Sequence, residues 1–165
     1  SHSKCRNGMG IAVVEGDLLD QGVDVIVNAW NRNVLPWWLL LPQGVSAAIK
    51  KRAGLEPFRE LSRMGLLPLG AAVMTSPGKL PHRAIIHVAG INLVWVSTEY
   101  SIRRSVRSAL DLAAKNGMRS IAFPLIGAGT GGGKDQRVMD LMIEEIESCA
   151  PAIEVRIVKF APNAA

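Results

Sequence analysis

Cysteine is scarce in this chain, with two residues, Cys5 and Cys149, among 165. Two thiols cannot form a disulfide framework for a chain of this length, so the fold must rest on a packed core. Cys149 lies on an apolar helical stripe and is expected to be a buried thiol. Metal-ligand spacing of histidine, cysteine and acid is also missing, so no metal and no cofactor are expected. The most apolar stretch, Val34 to Pro42, is bracketed by prolines and falls far short of the ~20 residues a bilayer span needs. No leader-like pattern is visible, and a reducing cytoplasm is the expected compartment. No internal repeat, low-complexity tract or linker divides the sequence. Residues 1–10 are expected to be an N-terminal extension or a cloning remnant, and 11–165 one domain. Acid is in deficit, fourteen Asp and Glu against nineteen Lys and Arg, giving a formal charge of +5. That balance suits an anionic ligand or nucleic acid without choosing between them. The positive clusters, Lys50-Lys51-Arg52 and Arg103 with Arg104 and Arg107, fit solvated helix faces as well as a nucleic-acid track. Nucleic acid therefore ranks as the lesser candidate partner.

What is present is an alternation of strand and helix patterns. Ile11 to Glu15 and Asp24 to Ala29 read as strands, the second as a continuous apolar run suited to burial on both faces. Gly44 to Arg52 carries Val45, Ala48, Ile49 and Arg52 at helical spacing and stops at Gly54, and Pro57 to Met64 is a second short helix. Strands come next over Ala71–Thr75 and Ala84–Val88. A long amphipathic helix then runs from Thr98 to Asn116, stopped by Gly117. The strand at Ile121, a helix through Val138, Leu141, Met142, Ile146 and Cys149, and a last strand over Ile153–Phe160 complete the pattern. The fold class expected is α/β, a three-layer α/β/α sandwich around a mixed, mostly parallel central sheet.

The most specific feature is the passage from Ser120-Ile121-Ala122-Phe123-Pro124-Leu125-Ile126 into Gly127-Ala128-Gly129-Thr130-Gly131-Gly132-Gly133. Five glycines in seven residues allow backbone amides to approach a ligand with no Cβ in the way, just before a helix N-terminus. Such an arrangement forms a concavity for anions, which points to a phosphate-bearing ligand. A Walker A loop fails, because Ala128 holds the leading glycine position and Asp135 replaces the magnesium-binding hydroxyl. Gly127, Gly129 and Gly132 satisfy the Rossmann spacing formally, but too little chain remains to build the rest of a dinucleotide-binding half. No Ser–His–acid or Cys–His signature is present. His82 is expected to lie exposed in a turn, and His87 to be a satisfied core histidine.

Six segments in order complete the picture: Gly16-Asp17-Leu18, Val25 to Asn31, Gln43 to Ile49, Gly70 to Thr75, Ile85 to Gly90, and Ile121 to Gly127. This succession resembles the macrodomain family of ADP-ribose-binding modules and covers essentially Ile11 to Phe160. The resemblance implies that Asp17 accepts a hydrogen bond from the adenine amino group, with Leu18 beside it. A carboxylate suits an amine because it can only accept, although a plain turn or N-cap role fits Asp17 as well. Asn31 matches the asparagine that binds the terminal ribose, while Asn28 braces the strand end. Gly44, Val45 and Ser46 match one diphosphate loop, and Gly127, Ala128, Gly129, Thr130, Gly131 and Gly132 match the other. Phe160 resembles the aromatic that packs on adenine; core packing is its alternative.

Three departures from the family pattern bear on activity. Ser46 stands where hydrolytic members carry an aspartate, and serine is a poor base at neutral pH. The Trp37-Trp38 excursion replaces a glycine triplet and suits either a lid over the ribose or a core or oligomer contact. Gly131 stands where the family often places an aromatic. The resemblance implies binding of ADP-ribose or ADP-ribosylated protein, with hydrolysis of protein esters or O-acetyl-ADP-ribose and with Asn31 and Ser46 as candidate catalytic groups. A non-catalytic ADP-ribose reader is the alternative, and an RNA-binding module is the lesser one.

Overall fold

The computed structural model describes residues 10–31, 45–65, 68, 70–91, 99–126 and 134–160. Six strands, β1 (Ile11–Gly16), β2 (Val25–Asn31), β3 (Ala72–Thr75), β4 (Ala84–Ile91), β5 (Ser120–Pro124) and β6 (Glu154–Phe160), form one sheet. Four helices accompany them: α1 (Val45–Ala53), α2 (Glu56–Arg63), α3 (Glu99–Lys115) and α4 (Lys134–Cys149). A short 3-10 turn, Leu18–Asp20, comes after β1. The sheet order is β1-β6-β5-β2-β4-β3, parallel throughout except for β3, which runs antiparallel to β4. This is the mixed, mostly parallel sheet that the strand and helix alternation implies.

The period of two along β2 explains the layering. Val25 and Val27 point into a core shared with α3 and α4 through Val106, Leu110, Met142 and Ile146. Ile26, between them, points into the opposite core with Leu18, Leu19, Ile49, Phe58 and Leu61. Successive side chains of a strand alternate faces, so an unbroken apolar run is what a strand between two helical layers needs. Both cores are closed to solvent at their centres, with Ile26, Ile49, Ile121, Met142 and Ile146 at zero exposure.

Helix ends obey local chemistry. Gly117, at φ +68°, closes α3 with Met118 N donating to Ala113 O and Gly117 N to Ala114 O. That pair of bonds is the Schellman arrangement, which needs a left-handed residue at its corner. The arginine cluster of α3 turns toward α4. Arg103 reaches Glu144 at 2.6 Å, Glu99 at 3.1 Å and Glu145 at 3.3 Å, and Arg107 reaches Glu145 at 2.7 Å. The hydrogen bond to Glu144, then that to Glu99, holds the Arg103 guanidinium more firmly charged than usual. Arg103 and Arg107, both partly exposed, thus bind one helix to the next.

Candidate ligand site at the carboxyl edge of the sheet

All five parallel strands end at one edge, so the segments leaving them converge there. β2 and β5 are neighbours, paired Val25 with Ile121. The chain leaves β2 for α1, on the face of Ile26, and leaves β5 for α4, on the opposite face. Adjacent strands whose continuations part in this way open a crevice, the usual ligand position in open α/β sheets. α1 and α4 both begin at this edge, and helix N-termini favour anions. Asn31 closes β2, Val45 and Ser46 open α1, and Lys134 opens α4. Gly44, Gly127, Ala128, Gly129, Thr130, Gly131 and Gly132 lie outside the described residues, as do Trp37 and Trp38. Asn31, Val45 and Ser46 are placed by their backbones.

A second corner of the edge is described in full. In the parallel register Gly16 of β1 lies opposite Phe160 of β6. Asp17 therefore sits one residue beyond Phe160's direct partner. Phe160 is 74% exposed, which rules out the core-packing alternative; strand β6 simply ends where the core does. Asp17 caps the 3-10 turn, its Oδ1 accepting from Leu19 N at 2.9 Å. Its other oxygen, Oδ2, faces Arg52 Nη1 at 3.8 Å, and that same nitrogen donates to Asp20 Oδ1 at 2.9 Å. The cap role thus occupies one oxygen of Asp17 and leaves the second turned elsewhere. Leu18 is buried at 4% exposure, so only its backbone is available to a ligand.

Gln21 fixes this corner from behind. Its Nε2 donates to Asp17 O at 3.1 Å, and its Oε1 accepts from Arg156 Nη1 at 3.2 Å. Its own carbonyl oxygen lies 2.9 Å from His82 Nε2. His82, expected to be exposed in its turn, is buried at 5% exposure. The reason is tertiary: the partner carbonyl is 61 residues away, and nothing in the local turn sequence announces it. Gln21, Arg52 and Arg156 were not candidates from sequence, for the same reason. Cys149 also departs from expectation, being half-buried at the end of α4; the burial it does have pushes its thiol pKa up.

Beneath the β2 end runs a buried polar chain. Asn28 Nδ2 lies 3.1 Å from His87 Nδ1, and His87 Nε2 lies 2.8 Å from Thr75 Oγ1. Thr75 Oγ1 in turn donates to Ser76 O at 3.1 Å. Since the Asn28 amide nitrogen can only donate, Nδ1 accepts and Nε2 carries the proton. Burial pushes the His87 pKa down to about 3, so the ring is neutral and structural. Among the described residues no cluster of three His, Cys, Asp or Glu could hold a metal.

Comparison with known proteins agrees with this geometry. The family model of the Macro domain matches residues 27–142. A macro domain-containing protein of Streptomyces griseus is 40% identical over 166 residues, covering 93% of this chain and 89% of that protein. An O-acetyl-ADP-ribose deacetylase of Escherichia fergusonii is 40% identical over 130 residues, covering 74% and 70% respectively. The Oceanobacillus iheyensis macrodomain solved with ADP superposes with a TM-score of 0.81 at 28% identity, covering 97% of this chain and 88% of that one. With strand order, crevice and profile in accord, the chain belongs to the macro domain family.

Proposed function

We propose that this chain binds ADP-ribose across the carboxyl edge of its sheet and hydrolyses esters of it. The observation that carries the reading is the pairing of Gly16 with Phe160, which brings an exposed aromatic residue to the same sheet edge as Asp17, whose carboxylate has one oxygen uncommitted to its cap. An aromatic face and an acceptor-only group are what an adenine ring with its exocyclic amine calls for. The diphosphate then extends toward the N-termini of α1 and α4, whose helix dipoles favour an anion. The distal ribose reaches the end of β2 and Asn31. Support comes from a relative named for O-acetyl-ADP-ribose deacetylation and a structural neighbour holding ADP.

Hydrolysis would rest chiefly on positioning. A water held by a ligand phosphate oxygen or by Ser46 attacks the ester carbonyl carbon. The bond from that carbon to the ribose oxygen breaks, and the ribose hydroxyl leaves with a proton while the acid is released. Amides of the glycine loop fix the diphosphate through the reaction, and Asn31 holds the ribose. Ser46 in place of a carboxylate favours a second reading, an ADP-ribose reader that binds without turnover.

Titration calorimetry with ADP-ribose tests binding, and Asp17→Ala is expected to weaken it by about tenfold or more, as loss of a hydrogen bond to a charged acceptor does. Incubation with O-acetyl-ADP-ribose and with automodified ADP-ribosylated protein separates the two readings. Release of acetate or label means an eraser; tight binding without release means a reader. Equal affinity of wild type and Asp17→Ala removes the adenine assignment.

A further inference from the structure

Arg52 stands where the proposed adenine amine would be read. Its Nη1 is anchored on Asp20 Oδ1 at 2.9 Å and lies 3.8 Å from Asp17 Oδ2. The first distance is a hydrogen bond and the second is too long to be one. The guanidinium is therefore held next to Asp17 without consuming the oxygen that faces it. It carries five N–H donors in a rigid fork, and the described contacts engage Nη1. Both side chains reach solvent, Arg52 at 41% and Asp17 at 34%. One corner thus offers an acceptor-only group and a donor-only group side by side, at the sheet edge where the exposed Phe160 ends β6.

A carboxylate facing the 6-position alone would favour the amino over the keto group there. It welcomes the 6-amino group of adenine and repels the 6-keto oxygen of hypoxanthine or guanine, since two acceptors cannot pair. A neighbouring guanidinium removes that selectivity, because it can donate to the keto oxygen that the carboxylate rejects. We propose that Arg52 is a specificity-determining residue that widens the base pocket. The chain then accepts diphosphate-riboses of 6-keto purines alongside ADP-ribose. The inference rests on the base-pocket assignment made above for Asp17 and Phe160.

The test measures two dissociation constants, for ADP-ribose and for its hypoxanthine counterpart, on wild type, Arg52→Ala and Arg52→Gln. For wild type the two constants are expected to agree within about fivefold. Arg52→Ala is expected to raise their ratio by about tenfold or more, because a site built to pair a polar group rejects the ligand that leaves it unpaired. Arg52→Gln keeps a neutral donor and is expected to fall between. Exposed ion pairs add little to stability, and a thermal melt of each variant confirms that binding rather than folding is being read. A wild-type ratio already large, or a ratio unmoved by Arg52→Ala, overturns the role of Arg52 while ADP-ribose binding stands. If wild type binds neither compound, the base-pocket assignment fails and this inference fails with it.

Discussion

Acidification should loosen this protein through one residue. His87 has zero exposure, and burial lowers its pKa from 6.5 to about 3. Its proton positions are fixed by direction: Asn28 donates to Nδ1, and Nε2 donates to Thr75. Protonating Nδ1 would set a donor against a donor in a fully buried site. In the unfolded chain the ring titrates normally, so between pH 6.5 and pH 3 the unfolded state binds the extra proton. Stability then rises with pH across that window, is complete above it, and is lost progressively as pH falls. With these two pKa values, going from pH 7 to pH 5 removes about 2 kcal/mol, or about 4–8 °C in melting temperature at this chain length. Urea titrations at both pH values measure the loss directly, and carboxylates elsewhere are cancelled by repeating them on His87→Gln. Glutamine can still accept from Asn28 and donate to Thr75 but does not titrate, so about 2 kcal/mol of pH dependence should disappear in the variant. If wild type and His87→Gln lose the same stability between pH 7 and pH 5, the neutral-histidine argument is wrong.

Other perturbations probe the fold and the site separately. Ile146→Ala empties a fully buried position between α4 and the sheet and should cost about 2–5 kcal/mol in a denaturant titration, leaving the opposite core intact. Gly78→Ala should cost about 2 kcal/mol or more, because φ is +58° there and a Cβ would meet the carbonyl of Ala53. His87→Leu should be worse at pH 7 than His87→Gln by about 1–3 kcal/mol, since it removes both buried hydrogen bonds of the ring, to Asn28 Nδ2 and to Thr75 Oγ1. Ser46→Asp places a carboxylate base at the head of α1 and should raise turnover of O-acetyl-ADP-ribose by about tenfold or more, read as acetate release. Turnover unchanged by that substitution would show that positioning already limits the reaction.

The layers of this fold were legible because they are written at short range. The run Val25-Ile26-Val27 suits a strand covered on both sides, and the two cores that divide its side chains bear it out. Gly117 marked the end of α3 because its corner demands a positive φ. Of the proposed site, the part that can be read from the sequence hangs on strand ends. Asp17, Asn31 and Phe160 each stand where an apolar run gives out, and the parallel sheet brings those ends to one edge.

The hidden part depends on side chains that meet across long separations. Arg52 and Asp20 are 32 residues apart, Arg156 and Gln21 are 135 apart, and His82 finds the Gln21 carbonyl across 61. Each of these residues, taken alone, looks like an ordinary surface or turn position. In sequence Arg52 is the last of three consecutive cations, and a run of cations suggests a polyanion track. In the fold its charge is turned back onto Asp20 and Asp17, at the edge where the chain's own acids stand. A basic cluster in sequence therefore need not recruit a polymer. If Asp17 reads the base as proposed, Arg52 beside it is placed to set which bases that carboxylate tolerates.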